Sequence, residues 1–228
     1  MHELVFRPAL VSDVAFLTRA ICAAERLPLA EPCTMYERMF GMTPVELDAF
    51  LTEALVSDGV GHQLTGRSFN VLEASGKPIA CCAAWIESAS GQPSGLKTSV
   101  LVSRFLGATR WRACASAIRA VGRNAPRRTA LSLQLETFFV EPAHRGRGLT
   151  RQLIEESVVS VLRESSPGAA EIVLLRENVH ARAVYEHCGF SLAWQTDVRD
   201  AEFEALTGST GYLLLRRALP SSALGEAT

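Results

Sequence analysis

The sequence predicts an α/β (α+β) chain with helical insertions, and three observations carry that reading. From residue 130 onward, segments of alternating and helical periodicity succeed one another: strand 130–140, helix 148–164, strand 171–177, helix 179–188, strand 190–198 and strand 210–217. A strand, helix, strand rhythm implies a parallel pair joined by a right-handed crossover. Earlier, strands 68–74 and 78–86 flank Ser75-Gly76-Lys77, where the glycine suits a tight hairpin turn. Finally, 48% hydrophobic and 21% charged residues over 228 positions are the proportions of a globular chain with a sizeable core.

Taken in order, Leu4, Phe6 and Pro8 alternate with Glu3, Val5 and Arg7, giving a short strand. Ser12 is placed to cap a helix whose inner face is Val14, Leu17, Ile21 and Ala24, ending near Pro28. Met35, Tyr36, Met39 and Phe40 have helical spacing. Thr43-Pro44-Val45-Glu46 combines a cap, a first-turn proline and a third-position glutamate, which starts a helix running to about Val56. Asp58 to Gly66 reads as a loop, and Ser88 to Gly95 as a break. From Thr98 to Val121 the pattern is helical. The stretch from Ser88 to Leu135 holds no Asp or Glu but carries Lys97, Arg104, Arg110, Arg112, Arg119, Arg123, Arg127 and Arg128. This is an insertion with a basic face, read as a solvated helix ahead of an anion-binding one. The expected organisation is one domain over 1–220, with insertions at about 28–66 and 89–129, and a flexible tail at 221–228.

A net charge of −1 gives no overall pull toward nucleic acid or anionic membrane. No apolar run approaches the roughly 18 residues that span a bilayer, and Met1-His2-Glu3 does not begin a signal peptide, so the expected location is cytoplasmic. The cysteines at 22, 33, 81, 82, 114 and 188 form no C-x-x-C pair and read as buried free thiols, with no metal expected. Nucleic acid is disfavoured as a partner because the basic insertion lacks the interleaved aromatics of a stacking platform.

The chemistry concentrates after strand 130–140. Alternation puts Leu131, Leu133, Leu135, Thr137 and Phe139 on one face and Ser132, Gln134, Glu136, Phe138 and Val140 on the other. The next helix turns Leu149, Leu153, Ile154, Val158, Val161 and Leu162 inward. Between them, Gly146 and Gly148 let the backbone approach a ligand closely. The free amides at the helix start, helped by the helix dipole, make a seat for a diphosphate. Arg145, Arg147 and Arg151 surround that seat. A dinucleotide fingerprint is disfavoured because Arg151 stands where its third glycine belongs, and a Walker A loop lacks its G-K-[ST] ending. Taken alone, the two glycines leave a solvated turn and a ligand seat both open.

Arg145-Gly146-Arg147-Gly148-Leu149-Thr150 resembles the R/Q-x-x-G-x-G/A motif of GNAT-type N-acyltransferases, with Thr150 in place of the usual Gly or Ala. Phe138-Phe139-Val140-Glu141-Pro142 is similar to the strand end that precedes it there. Asn178-Val179-His180-Ala181 followed by Tyr185-Glu186-His187-Cys188-Gly189-Phe190 resembles the family's second signature, N-x-x-A-x-x-x-Y-x-x-x-G-F. The motifs span about residues 130–198. The resemblance implies a mixed, mostly antiparallel six- or seven-stranded sheet flanked by helices. It implies acetyl-CoA as co-substrate, its pantetheine arm lying along the backbone of Phe138, Phe139 and Val140 and its pyrophosphate on the amides of Gly146, Arg147, Gly148, Leu149, Thr150 and Arg151.

It further implies that Asn178 binds the pantetheine arm, alongside or in place of a helix-capping role, and that Tyr185 protonates the departing thiolate. The alternative for Tyr185 is a core tyrosine with a satisfied hydroxyl. Glu136 is the candidate base, because it lies on the polar face of the strand leading into this site; His144 and His180 flank the site in sequence. Tyr36, Met39 and Phe40 are candidates for an acceptor pocket, with core packing as the alternative. The implied function is acetyl transfer to the primary amine of a small molecule or peptide, with a homodimer among the assemblies the family adopts. The competing class is an inactive acyl-CoA-binding regulatory module.

Overall fold

In a computed structural model, which describes residues 4–220, the chain opens with β1 (Leu4–Pro8) and α1 (Val14–Ala24). Ser12 does not cap α1. Residues Val11–Asp13 form one 3-10 turn, and the Asp13 carboxylate accepts the Leu10 amide at 2.8 Å and the Arg7 guanidinium at 2.6 Å. A carboxylate strengthens both bonds with its charge, which a hydroxyl cannot. α2 (Met35–Phe40) and α3 (Pro44–Val56) each start with a Thr-x-x-Glu capping box, at Thr34 and at the expected Thr43.

β2 (Phe69–Ala74) and β3 (Lys77–Ile86) form the expected hairpin, with Ser75 at φ 51° and Gly76 at φ 76°. Two left-handed residues match the twist of a two-residue hairpin loop. The single helix expected from Thr98 to Val121 is instead α4 (Ser94–Ala113) and α5 (Ala115–Asn124). Gly107 takes φ 74° and ψ 163°, a conformation essentially restricted to glycine, and the chain breaks again at Cys114. β4 (Leu133–Val140), α6 (Leu149–Leu162), β5 (Ala169–Leu175), α7 (Val179–His187) and β6 (Ser191–Gln195) follow the predicted order. α8 (Ala201–Thr207), capped by Asp200, was not legible in the sequence and precedes β7 (Tyr212–Ala218). The expected tail at 221–228 lies outside the described residues.

The strands form one sheet in the order β1-β2-β3-β4-β5-β7-β6. Every neighbouring pair is antiparallel except β4 and β5, which α6 joins as a parallel crossover. Helices α1 and α3 cover one face over Leu17, Ile21, Leu51, Phe69 and Cys81. Helices α6 and α7 cover the other, over Leu133, Ile154, Ile172 and Leu213, with Leu72, Cys82 and Leu153 beside them. Cys81 and Cys82 thus enter cores on opposite faces, as consecutive strand residues do.

Three arginines of the basic insertion are clamped to its neighbours. Arg110 pairs with Glu46 at 2.6 Å, Arg123 with Asp200 and Glu202 at 3.0 Å each, and Arg128 with Glu136. The Arg110 and Arg123 pairs fix α4 against α3 and α5 against the start of α8, so these arginines serve packing.

β4 and β5 pair only at Leu133 with Ala170 and Gln134 with Glu171, and beyond these positions they part. The closed end is clasped by the buried Glu171. Its carboxylate accepts Thr129 N at 3.0 Å, Thr129 Oγ1 at 2.6 Å, Gln134 Nε2 at 2.9 Å and Arg216 Nη2 at 2.7 Å. Burial alone would raise this carboxyl, but the bonds from Thr129, Gln134 and Arg216 outweigh it and hold it down to about 2. The folded value lies below the ordinary 4.5, so the clasp stabilises the fold above pH 4.5 and loses that contribution as pH falls through about 2. Glu171→Ala is expected to lower the unfolding free energy by about 2–3 kcal/mol in urea denaturation, because buried donors lose their acceptor. A loss within experimental error would contradict the clasp.

Candidate active site

The wedge between β4 and β5 originates in β4. Ala83 faces Glu136 and Cys81 faces Phe139, so Thr137 and Phe138 together oppose Cys82. This is a bulge, with Thr137 at φ 52°. The extra residue bends the strand away from β5 and exchanges the faces of everything after it. The expected grouping of Thr137 and Phe139 with Leu133 and Leu135 is therefore corrected: Phe138 and Val140 join the α6 face. There the Phe138 ring lies 5.2 Å from Tyr185, centroid to centroid, while Phe139 meets Phe16 of α1 at 5.7 Å.

Along Phe138, Phe139 and Val140, the β4 edge facing β5 has no strand partner, because the other edge is the one that pairs with β3. An extended chain of amides can add to such an edge as a further strand. Arg145 Nε donates to the Val140 carbonyl at 3.1 Å and holds the turn against the strand end.

In the turn, Gly146 and Gly148 have φ 73° and 75°, and Gly148 caps α6. A Cβ on either would meet nothing within 4 Å, so the space above the turn is open. Among the described residues, none of the backbone amides from Gly146 to Arg151 donates to an acceptor. A run of free amides at a helix start is an anion seat. The side chains are less uniformly aimed than the sequence suggests. Arg145 braces Val140, and Arg147 Nη2 donates to the Ala143 carbonyl at 3.3 Å. The turn residues accordingly fit a diphosphate through backbone first and guanidinium second.

Asn178 caps α7, its Oδ1 accepting the Ala181 amide at 3.2 Å. It also lines the cavity, so its amide nitrogen remains available as a donor. Tyr185 is buried, yet its hydroxyl makes no hydrogen bond among the described residues, unlike a core tyrosine with a satisfied hydroxyl. Burial holds the phenol above its ordinary range, which keeps it protonated and able to donate.

Glu136 lies before the bulge and is ion-paired with Arg128. Burial raises its carboxyl, against the opposing effect of the Arg128 charge. Arg128 in turn donates to Ser94 Oγ at 2.8 Å and sits 5.3 Å from the Trp85 ring centroid. Glu87 accepts Ser94 N at 2.9 Å and Ser94 Oγ at 2.6 Å, and those bonds hold it below its ordinary value despite burial. A residue that sequence reasoning missed joins them: Glu25, at the C-terminal end of α1. The available signal was an acidic side chain where the helix dipole disfavours an anion.

One cavity of about 1710 Å³ links these groups. It is lined by the turn residues Arg145, Gly146 and Gly148 to Arg151, by His144, Asn178, His180 and Tyr185, by residues 136–140 in the wedge, and by Glu25, Tyr36, Met39 and Phe40. Tyr36 and Phe40 also belong to the core, as the packing reading expected, while facing the cavity.

The sheet thus opens into a wedge, with a glycine-bearing amide nest at one side and a protonated phenol beside it. Residues 65–192 match the family model described as "Acetyltransferase (GNAT) domain", and the chain belongs to that family. No curated protein matches the sequence. Among solved structures, an N-acetyltransferase from Staphylococcus aureus Mu50 is similar at TM-score 0.61 and 13% identity, covering 93% of this chain and 100% of that one. A chain described as an acetyltransferase gives TM-score 0.56 at 13% identity, over 95% of this chain and 100% of that one. A mutant agmatine N-acetyltransferase in its apo form gives TM-score 0.56 at 16% identity, over 95% of this chain and 100% of that one. At these identities the likeness concerns the fold, a seven-stranded, mostly antiparallel sheet with flanking helices. No helix among the described residues is long and apolar enough to cross a membrane.

Proposed function

We propose that this chain is an N-acetyltransferase that moves an acetyl group directly from acetyl-CoA to a primary amine. The observation that carries this reading is the unpaired β4 edge at Phe138, Phe139 and Val140 leading straight to the free amides of Gly146 to Arg151. The edge suits the two amides of a pantetheine arm, and the nest suits a diphosphate. Arg145, Arg147 and Arg151 add charge around it, and Asn178 offers an amide donor to the arm. Tyr185 is the proton donor to the departing sulfur. A carboxylate of the Glu136 neighbourhood takes the proton of the amine.

Direct transfer needs both substrates in one continuous space, and the cavity provides it. A phenol that faces the cavity with no hydrogen-bond partner among the described residues favours turnover over a module that only binds acetyl-CoA. The acceptor is a small molecule or a peptide amine, and the proposed setting is the cytoplasm.

Two measurements test the reading. Acetyl-CoA at about 100 times its Kd is expected to stabilise the protein by about 2.7 kcal/mol, visible as a rise in Tm. A thiol-release screen over peptide N-termini, lysine side chains, polyamines, amino acids and aminoglycosides is expected to give turnover with at least one class. A rise in Tm with no thiol release across that panel would favour the regulatory module.

A further inference from the structure

Three carboxylates, Glu25, Glu87 and Glu136, line this arm of the cavity, and their surroundings differ. Glu136 is held by Arg128. Glu25 faces the same cavity, but among the described residues its carboxylate has no hydrogen-bond or ion-pair partner. Its neighbours act on it only through charge: Glu136 and Arg128 from the β4 side, with Tyr36 of α2, Cys22 of α1 and Tyr212 of β7 beside it. Glu87 lines the same region and is saturated by Ser94, Ser88 and Trp85. Arg26 and Arg127 lie at the exposed rim. The interior of this arm therefore holds the carboxylates of Glu25, Glu87 and Glu136 against the single guanidinium of Arg128. With all of them ionised, negative charge is in excess, and an ammonium group would offset it. The wall of Met35, Tyr36, Met39, Phe40 and Val102 suits an alkyl tail.

Resting on the transferase reading above, we propose that the acceptor arm takes a primary alkylamine as its ammonium ion, and that Glu25 is the catalytic residue that removes its proton. Glu136 and Arg128 are positioning residues. In the step, the Glu25 carboxylate takes one proton from the ammonium. The freed nitrogen lone pair forms the N–C bond at the thioester carbonyl carbon, and the carbonyl π pair moves onto oxygen. When that pair returns, the C–S bond breaks, and sulfur takes the Tyr185 hydroxyl proton. The phenolate is reprotonated by the nitrogen, which loses its second proton, and Glu25 releases the first to solvent. The products are the acetamide, the free thiol and one proton.

Burial and the Glu136 charge, opposed by Arg128, push Glu25 up to about 7. A carboxylate at that value is basic enough to accept the proton and still ionised near neutral pH. Because the ionised form is the active one, kcat/KM should fall as pH drops below about 7.

The test is the pH profile of thiol release with acetyl-CoA and hexylamine as the probe amine, for the parent chain, Glu25→Gln and Glu136→Gln, with acetyl-CoA affinity measured for each. Glu25→Gln is expected to lower kcat by about 10²–10³-fold, to lose the acid limb, and to recover at high pH where the amine is already neutral, with acetyl-CoA affinity unchanged. Glu136→Gln keeps the limb but moves it to lower pH, because the negative neighbour that raises Glu25 is gone. Retention of both the limb and the parent rate in Glu25→Gln overturns the proposal. So does an unmoved limb in Glu136→Gln, which needs no loss of activity to read. Turnover of a peptide amine but not hexylamine overturns the alkylamine assignment and leaves the transferase reading standing. Absence of thiol release with every amine sinks both.

Discussion

Gly148→Asp is expected to abolish acetyl-CoA binding while leaving the chain folded. Gly148 has φ 75°, where a residue with a Cβ costs about 1–2 kcal/mol. That strain is present with and without ligand, so it weakens the fold and not the complex. No protein atom lies within 4 Å of the added Cβ, so the fold accommodates the volume. What the substitution changes is the open space above the amides of Gly146 to Arg151, which gains a negative charge where the diphosphate is proposed to sit. Two such charges about 4 Å apart repel by roughly 4 kcal/mol near a protein surface, or about 10³-fold in affinity. Gly148→Ala carries the strain without the charge and is expected to lose far less. Calorimetric titration of both variants separates the two terms. Equal affinity in Gly148→Asp and the parent chain would remove the turn from the site.

Tyr185→Phe has the second large effect, on turnover and not on binding. The ring packs against Phe138 at 5.2 Å and is buried, and phenylalanine keeps that contact. Only the hydroxyl is lost, and it has no hydrogen-bond partner to leave behind among the described residues, so stability should change little. Because burial holds the phenol above its ordinary range, it is protonated at neutral pH and able to serve as the proposed donor. Its removal forces the thiolate to leave unassisted. We expect kcat to drop about 10²–10³-fold, with less than about a twofold change in acetyl-CoA affinity. Single-turnover kinetics read the chemical step directly, and an unchanged rate would take Tyr185 out of the mechanism.

The elements that the sequence announced are those whose local signals agree with their tertiary setting. The second half shows alternation in strands and a 3.6-residue repeat in α6 because the sheet and the helix each bury one face against the other there. The turn was legible because its glycines fall in a spaced motif between a strand and a helix, and Asn178 and Tyr185 because they fall in a second one. The bulge was not legible. Leu133 to Val140 alternates without interruption, and a β-branched Thr137 gives no hint of φ 52°. Yet that residue decides which way Phe138 and Phe139 point, and it contributes to opening the wedge. α8 is too short to show a period, and the break at Gly107 is hidden because an isolated glycine is tolerated in a helical pattern.

The acceptor side was the least legible. Glu25, Glu87, Arg128 and Glu136 come from separate elements, and nothing in their spacing brings them together. Arg128 read as part of a basic face, but it is the cation around which these carboxylates are arranged. The same holds for Arg110 and Arg123, whose partners lie on α3 and at the start of α8.

The proposed transfer requires that one cavity bring an acetyl thioester and an amine into contact. Its most direct test is product stoichiometry: incubation with acetyl-CoA carrying a ¹³C-labelled acetyl group and the best amine from the thiol-release screen, followed by mass spectrometry of the amine and titration of free thiol. The account predicts labelled acetamide and free thiol in equal amounts, both lost in Gly148→Asp. Free thiol with labelled acetate and no acetamide, or no thiol from a chain that binds acetyl-CoA, would contradict it.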